Sequence, residues 1–100
     1  MPYIKEEKRE ELDPCIDNLI RCLDPEKDLI IDNILGDINY TFSRILGGLM
    51  GSPSYNKIAM ITGVLENIKQ EFYRRVAEPY EDKRILENGD IKEYKNLTRR

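Results

Sequence analysis

The chain has 100 residues, 40% hydrophobic and 35% charged, with a net charge of −3 at neutral pH; that is one domain's worth of sequence and too apolar for disorder throughout. Residues 1–50 hold 6 Lys/Arg against 11 Asp/Glu, net −5, and residues 51–100 hold 10 against 8, net +2, an asymmetry that favours charge-steered self-association and argues against nucleic acid, which requires a basic domain. Histidine is absent, which excludes Ser-His and Cys-His nucleophile pairs and His-containing zinc sites, so any catalysis would rest on carboxylates, Lys, Tyr or Cys.

Residues 5–12 are all charged but one and lead into Asp13-Pro14, an N-cap followed by proline at the first helical position. Leu12, Ile16, Leu19, Ile20 and Leu23 then paint one apolar stripe, so the pattern predicts a helix over 13–23. Cys15 and Cys22 lie seven apart on it, about 10 Å along a helix and beyond the reach of a disulfide, as expected of free thiols in a reducing compartment. The N-terminal residues contain no apolar signal-peptide core, and no stretch approaches eighteen apolar residues. The expectation is a protein neither secreted nor membrane-spanning.

Asp24-Pro25 repeats the start signal, and Leu29, Ile30, Ile31, Ile34 and Leu35 predict a short helix over 26–35. The same Leu-Ile-Ile run would also suit a buried extended piece. Gly36 is placed to cap that segment and Asp37 to start a helix over 37–50, where Ile38, Phe42, Ile45, Leu46, Leu49 and Met50 repeat at helical spacing. Gly47-Gly48 and Gly51-Ser52-Pro53 break it. They form no phosphate loop, because the segment follows a helix and lacks the lysine and spacing of a Walker motif.

The longest periodic segment predicts a helix over 54–78, with Ser54 as its cap and Ile58, Ile61, Leu65, Ile68, Phe72 and Val76 at spacings of three, four, three, four and four. Pro79 lacks a backbone donor and crowds the preceding turn, predicting a kink there before a helical segment over 79–88 that Asn88-Gly89 ends. Residues 91–100 read as an extended or disordered tail. The expected architecture is therefore all-α: a single helical domain over 1–90, a small bundle with one long helix in the C-terminal half, kinked near Pro79.

Two constellations on this helix could carry chemistry. Tyr55, Ala59, Thr62, Glu66, Lys69, Tyr73 and Tyr80 form a second stripe, suited to stacking a ring and bonding its edges, or to an ordinary interface flank. Glu66 can pair along the surface with Lys69 or Gln70. Glu78, Glu81 and Asp82 stand at i, i+3 and i+4, the spacing of a helical magnesium site, and are loosely similar to the second acidic motif of all-helical nucleotide pyrophosphohydrolases. Arg74, Arg75, Lys83 and Arg84 flank them, so solvated ion pairs explain the pattern as well, and neither a metal nor a cofactor is assigned.

With those residues laid out, the chain resembles a domain-of-unknown-function family of small proteins from tailed phages and bacteria. The resemblance rests on Met1-Pro2-Tyr3-Ile4-Lys5, Leu12-Asp13-Pro14, Ile16-Asp17, Gly36-Asp37-Ile38-Asn39-Tyr40 with Arg44, Gly63-Val64-Leu65-Glu66 with Lys69, Glu71-Phe72-Tyr73-Arg74-Arg75, Pro79-Tyr80-Glu81-Asp82-Lys83 and Glu87-Asn88-Gly89-Asp90. It implies a phage or prophage setting and a bacterial cytoplasm, and no particular chemistry. Residues 26–35 depart from the family pattern as a longer insert.

The functional expectation is a non-enzymatic binding protein. It would act as a homo-oligomer, engaging a host protein or sequestering a nucleotide-type signal through Tyr73, Arg74, Arg75, Tyr80, Lys83 and Arg84. Arginine forks suit phosphate or carboxylate, and tyrosine faces suit rings. The same residues would alternatively be structural, with the rings packed on the first helix and the cations paired with Glu71, Glu78, Glu81 and Asp82. A magnesium-dependent nucleotide hydrolase using Glu78, Glu81 and Asp82, and a structural or assembly protein, are the alternative functions.

Overall fold

The computed structural model describes residues 3–27 and 30–98. Every regular element among them is helical: α1 (Glu6–Leu23), α2 (Ile31–Met50), α3 (Tyr55–Phe72), a π turn (Tyr73–Ala77), α4 (Glu78–Asn88) and α5 (Lys92–Thr98). The segments from Tyr55 to Asn88 follow one another without a break, giving the long C-terminal-half helix that the periodicity predicts. The chain divides into two units, Met1–Ile61 and Thr62–Arg100, where the sequence suggests one domain over 1–90.

In the first unit, α1 begins seven residues ahead of the Asp13-Pro14 signal, and Pro14 sits inside it. Local terms outweigh the proline. Residues 6–12 are strong helix formers, Glu6 and Glu7 favour the positive N-terminal end of the helix dipole, and Lys8 pairs with Glu11 at 2.9 Å. The Arg9 guanidinium stands 6.0 Å from the Tyr3 ring, and its Nε donates to the Ile4 carbonyl at 2.9 Å. This clips the entering chain to the first turn.

The expected break at Gly36-Asp37 is absent: α2 runs through it as one helix from Ile31 to Met50. One interior glycine costs about 1 kcal/mol of helix propensity, less than the apolar face on either side contributes when kept in phase. The short helix expected over 26–35 is thereby absorbed in part. Asp24–Lys27 form a turn, and the expectation for Asp28 and Leu29 lies outside the described residues. Kept in phase, Ile31, Leu35, Ile38, Phe42, Ile45 and Leu49 repeat at four, three, four, three and four, the spacing of a coiled-coil seam. Helices α1 and α2 touch, and the partly buried residues on the two are Leu19 and Leu23 on α1 with Ile34, Ile38, Thr41, Leu46 and Met50 on α2.

Helix α2 ends at Gly51, whose φ of 61° and ψ of −130° suit only glycine. No basic residue lies in its last turn. The compensating charge comes instead from α3, where Lys57 Nζ donates to the carbonyls of Met50 at 3.3 Å and Ser52 at 2.9 Å. Ser54 caps α3 as its sequence predicts, with Oγ accepting from the Lys57 backbone N–H at 3.2 Å and the carbonyl from Ile58 N–H at 3.0 Å.

In the second unit the distortion near Pro79 takes a definite form. The Glu78 N–H donates to the Tyr73 carbonyl, a five-residue span that widens the turn just ahead of the proline. A regular α-helix would drive the Pro79 ring against the Arg75 carbonyl and leave that carbonyl without its donor; the wider turn accommodates both. Gly89, at φ 85°, ends α4, with its N–H on the Ile85 carbonyl at 2.8 Å. The segment expected to be an extended or disordered tail, 91–100, is helical over Lys92–Thr98. Ile91 leads into α5, its carbonyl accepting from Lys95 N–H at 3.0 Å and its own N–H donating to Asp90 Oδ1 at 2.8 Å.

Among the described residues no side chain is fully buried. Leu35, Phe42, Ile45 and Leu49 on α2, and Leu65, Ile68, Phe72 and Val76 along the long helix, are all exposed, with Leu49 at 72%. Burying an aliphatic side chain fully is worth about 1.5–3 kcal/mol, and these helices leave a large part of that unrealised.

Candidate functional site

The six residues singled out in the sequence fall on the π turn and α4. Tyr73, Arg74 and Arg75 form the first three positions of the π turn; Tyr80, Lys83 and Arg84 share one side of α4, one turn apart. Within this unit a side-chain contact also joins the two segments: the Tyr73 hydroxyl donates to Glu81 Oε1 at 3.2 Å. That bond, with the negative charges of Glu81 and Glu78, holds the Tyr73 phenol above its usual 10.0. Tyr73 therefore stays neutral and a donor at any physiological pH.

The cations are arranged around one carboxylate. Glu71 is partly buried, and its Oε1 lies 2.8 Å from Arg74 Nη2 and 3.5 Å from Arg75 Nη1. Two guanidiniums thus share one carboxylate. Arg84 reaches Glu87 at 3.5 Å, and Lys83 makes no ion pair among the described residues. The sequence had offered Glu71, Glu78, Glu81 and Asp82 as partners for these cations; Glu71 takes that part for Arg74 and Arg75, and Glu87 takes it for Arg84. Both rings keep open surface, Tyr73 at 51% and Tyr80 at 64% exposed. The arrangement sets four cations among five carboxylates over residues 71–88, with two accessible aromatic faces; the guanidiniums can hold a carboxylate or phosphate by charge-assisted hydrogen bonds and the rings can stack an adjoining ring or apolar group.

In the acidic triplet one carboxylate has a partner on the π turn. Glu81 accepts the Tyr73 hydroxyl, and among the described residues no three Asp, Glu or Cys side chains converge as a metal site would need. Cys15 and Cys22 are free and exposed. Gln70 Nε2 donates to Glu66 Oε1 at 3.2 Å, a surface pairing that the second stripe predicts.

A second feature escaped the sequence reading. On α2 the Arg44 guanidinium stands 5.9 Å from the Tyr40 ring, and its Nη1 donates to the Tyr40 hydroxyl at 3.1 Å. With Ser43, Gly47 and Gly48 the pair lines an open concavity of about 320 Å³. The i, i+4 spacing of a tyrosine and an arginine was the available signal.

Described helix by helix, this is an all-α protein that carries an exposed arginine-tyrosine face on the π turn and α4. The domain-of-unknown-function family DUF6899 matches residues 1–91, and the chain belongs to that family. No curated protein and no solved structure matches it. No helix of the described residues is long and apolar enough to cross a membrane.

Proposed function

We propose that this protein is a non-enzymatic binding protein that acts as a small helical oligomer and engages an acidic partner through the π turn and α4. The observation that carries the reading is the concentration of Tyr73, Arg74, Arg75, Tyr80, Lys83 and Arg84 within twelve residues, with both rings open and the guanidiniums themselves exposed in their pairs with Glu71 and Glu87. Exposed ion pairs of this kind are worth about 0–1 kcal/mol. An incoming carboxylate or phosphate can therefore displace them at little cost, while the tyrosines supply hot-spot area. On this reading the partner is a host protein met by a phage or prophage product in a bacterial cytoplasm, the setting that the resemblance to phage and bacterial proteins favours. A nucleotide-type signal is the small-molecule version of the same chemistry.

The test is affinity capture from bacterial lysate, with mass spectrometry of both the proteins and the extracted metabolites retained. Wild-type protein is compared with Tyr80→Ala and Arg75→Ala. Each substitution should weaken retention of the true partner by about 1–2 kcal/mol, roughly five- to thirtyfold. Retention unchanged in a folded double variant places the site elsewhere. For the hydrolase alternative, incubation with nucleoside triphosphates and magnesium should return the nucleotides unaltered; turnover abolished by Glu81→Gln would instead assign chemistry to Glu78, Glu81 and Asp82.

A further inference from the structure

We propose that the two open seams, Ile31–Leu49 on α2 and Leu65–Val76 along the long helix, are covered by a second copy of this chain. This deepens the self-association in the proposed function, and rests on it, by naming the surfaces that associate. Three observations argue for a second copy over an unrelated protein.

The first is area. Ile31, Leu35, Phe42, Ile45, Leu49, Leu65, Ile68, Phe72 and Val76 are each between 40% and 72% exposed. Together they leave roughly 1,000 Å² of apolar side chain open, above the about 800 Å² that each partner contributes to a stable interface.

The second is shape. Both seams alternate at three and four residues, the pattern whose knobs fit the holes of another seam of the same kind. On the long helix the pattern passes into the π turn in phase. Phe72 is followed by Val76, four residues on, and the extra residue of the π turn keeps Val76 on the seam and sets Arg75 aside. A regular helix would alternate back to three and put Arg75 there.

The third is charge. The residues flanking the α2 seam are Asp32, Ile34, Asn39, Thr41, Leu46 and Gly48, so a single charge borders the seam and two copies meet there without repulsion. Over the whole chain, net −5 on residues 1–50 and +2 on residues 51–100 gives one copy's acidic half an attractive neighbour in the other's basic half.

The experiment measures mass by sedimentation equilibrium on the full chain from low to high micromolar concentration. It compares wild type, Ile45→Glu, Leu65→Glu and, as an off-seam control, Leu86→Glu, at a residue 88% exposed. Wild type and Leu86→Glu should be oligomeric, and each seam variant should dissociate with a Kd raised roughly thirtyfold or more, the loss of one hot-spot residue. Capture of an untagged wild-type chain by a separately purified tagged one confirms the second copy as occupant even if a seam variant fails to fold. A helical wild-type monomer at high micromolar concentration overturns the proposal together with the oligomeric part of the function, leaving the π-turn surface to its own binding test. An oligomer that survives both seam substitutions, or that Leu86→Glu dissociates as strongly, overturns the seams alone.

Discussion

Two glycines only three residues apart should respond to the same substitution with opposite sign. Gly51 has φ 61° and ψ −130°, a conformation that costs an L-residue about 1–3 kcal/mol. Gly48 lies inside α2, where alanine is favoured over glycine by about 1 kcal/mol. Sterics play no part in either. A Cβ at Gly51 would meet only the far end of Lys57, 3.9 Å away, and one at Gly48 would meet nothing within 4 Å. Against the strain, alanine gains about 0.4–1 kcal/mol by restricting the unfolded chain, so Gly51→Ala should cost a net of about 1–2 kcal/mol. Gly48→Ala should gain about 1 kcal/mol. In thermal unfolding followed by far-UV circular dichroism at one fixed protein concentration, about 1 kcal/mol shifts Tm by roughly 4–8 °C for a domain of up to about 100 residues and by half that for a larger cooperative unit. The two variants should therefore separate by several degrees on either side of wild type. A neutral Gly51→Ala would refute the backbone reading of the α2 terminus. A destabilising Gly48→Ala would show that a neighbour approaches that flank of the seam too closely for a methyl group.

Lys57→Met should lower stability by about 0.5–1.5 kcal/mol, because it removes the ammonium that caps the α2 carbonyls while keeping most of the stem; added salt should shrink the wild-type advantage, and an unchanged melting curve would dismiss the cap. The Tyr73 phenol, held up by Glu81, should titrate above its usual 10.0 in an ultraviolet difference titration against Tyr73→Phe, and Glu81→Gln should bring it down. Because the folded value is raised, this contact's contribution to stability is fully present below about pH 10 and is lost as pH rises through the folded value. A titration indifferent to Glu81→Gln would rule out the hydrogen bond.

Helix identity was legible wherever apolar spacing was long and uninterrupted. The stripe from Ile58 to Val76, the Ser54 cap and the Gly89 stop all stand in the structure as the residues predict. Boundaries set by one or two residues were less legible. Asp13-Pro14 has the form of a start signal, yet Lys8–Glu11 and the Arg9–Ile4 clip begin α1 earlier. Gly36-Asp37 has the form of a stop and start, yet the seam on either side stays in phase through it. Punctuation residues report local preference, and propagation of a helix already nucleated can outweigh them. For the candidate site, the sequence indicated which residues cluster, and Pro79 marked where the helix would deform. It held no signal for the deformation being a π turn, nor for Glu81 as the partner of the Tyr73 hydroxyl, because both depend on the wider turn.

If the seams are closed by a second copy, stability is a property of concentration as well as of sequence. For a two-state folded dimer dissociating to unfolded chains, raising protein concentration tenfold adds about 1.4 kcal/mol per dimer by mass action. A cooperative unit of about 200 residues gains about 2–4 °C in Tm per kcal/mol, so the midpoint should climb by roughly 3–6 °C for each tenfold increase. A monomer carrying the same helices would melt at one temperature throughout the series. Leu65→Glu should flatten the dependence, because a carboxylate in the seam leaves little association to be driven. Gly51→Ala should shift the whole series downward in parallel, since its strain belongs to each chain whether or not it is paired. A wild-type midpoint independent of concentration would mean that the helices are held by terms internal to one chain, and the exposed faces of α2 and the long helix would then need a different partner.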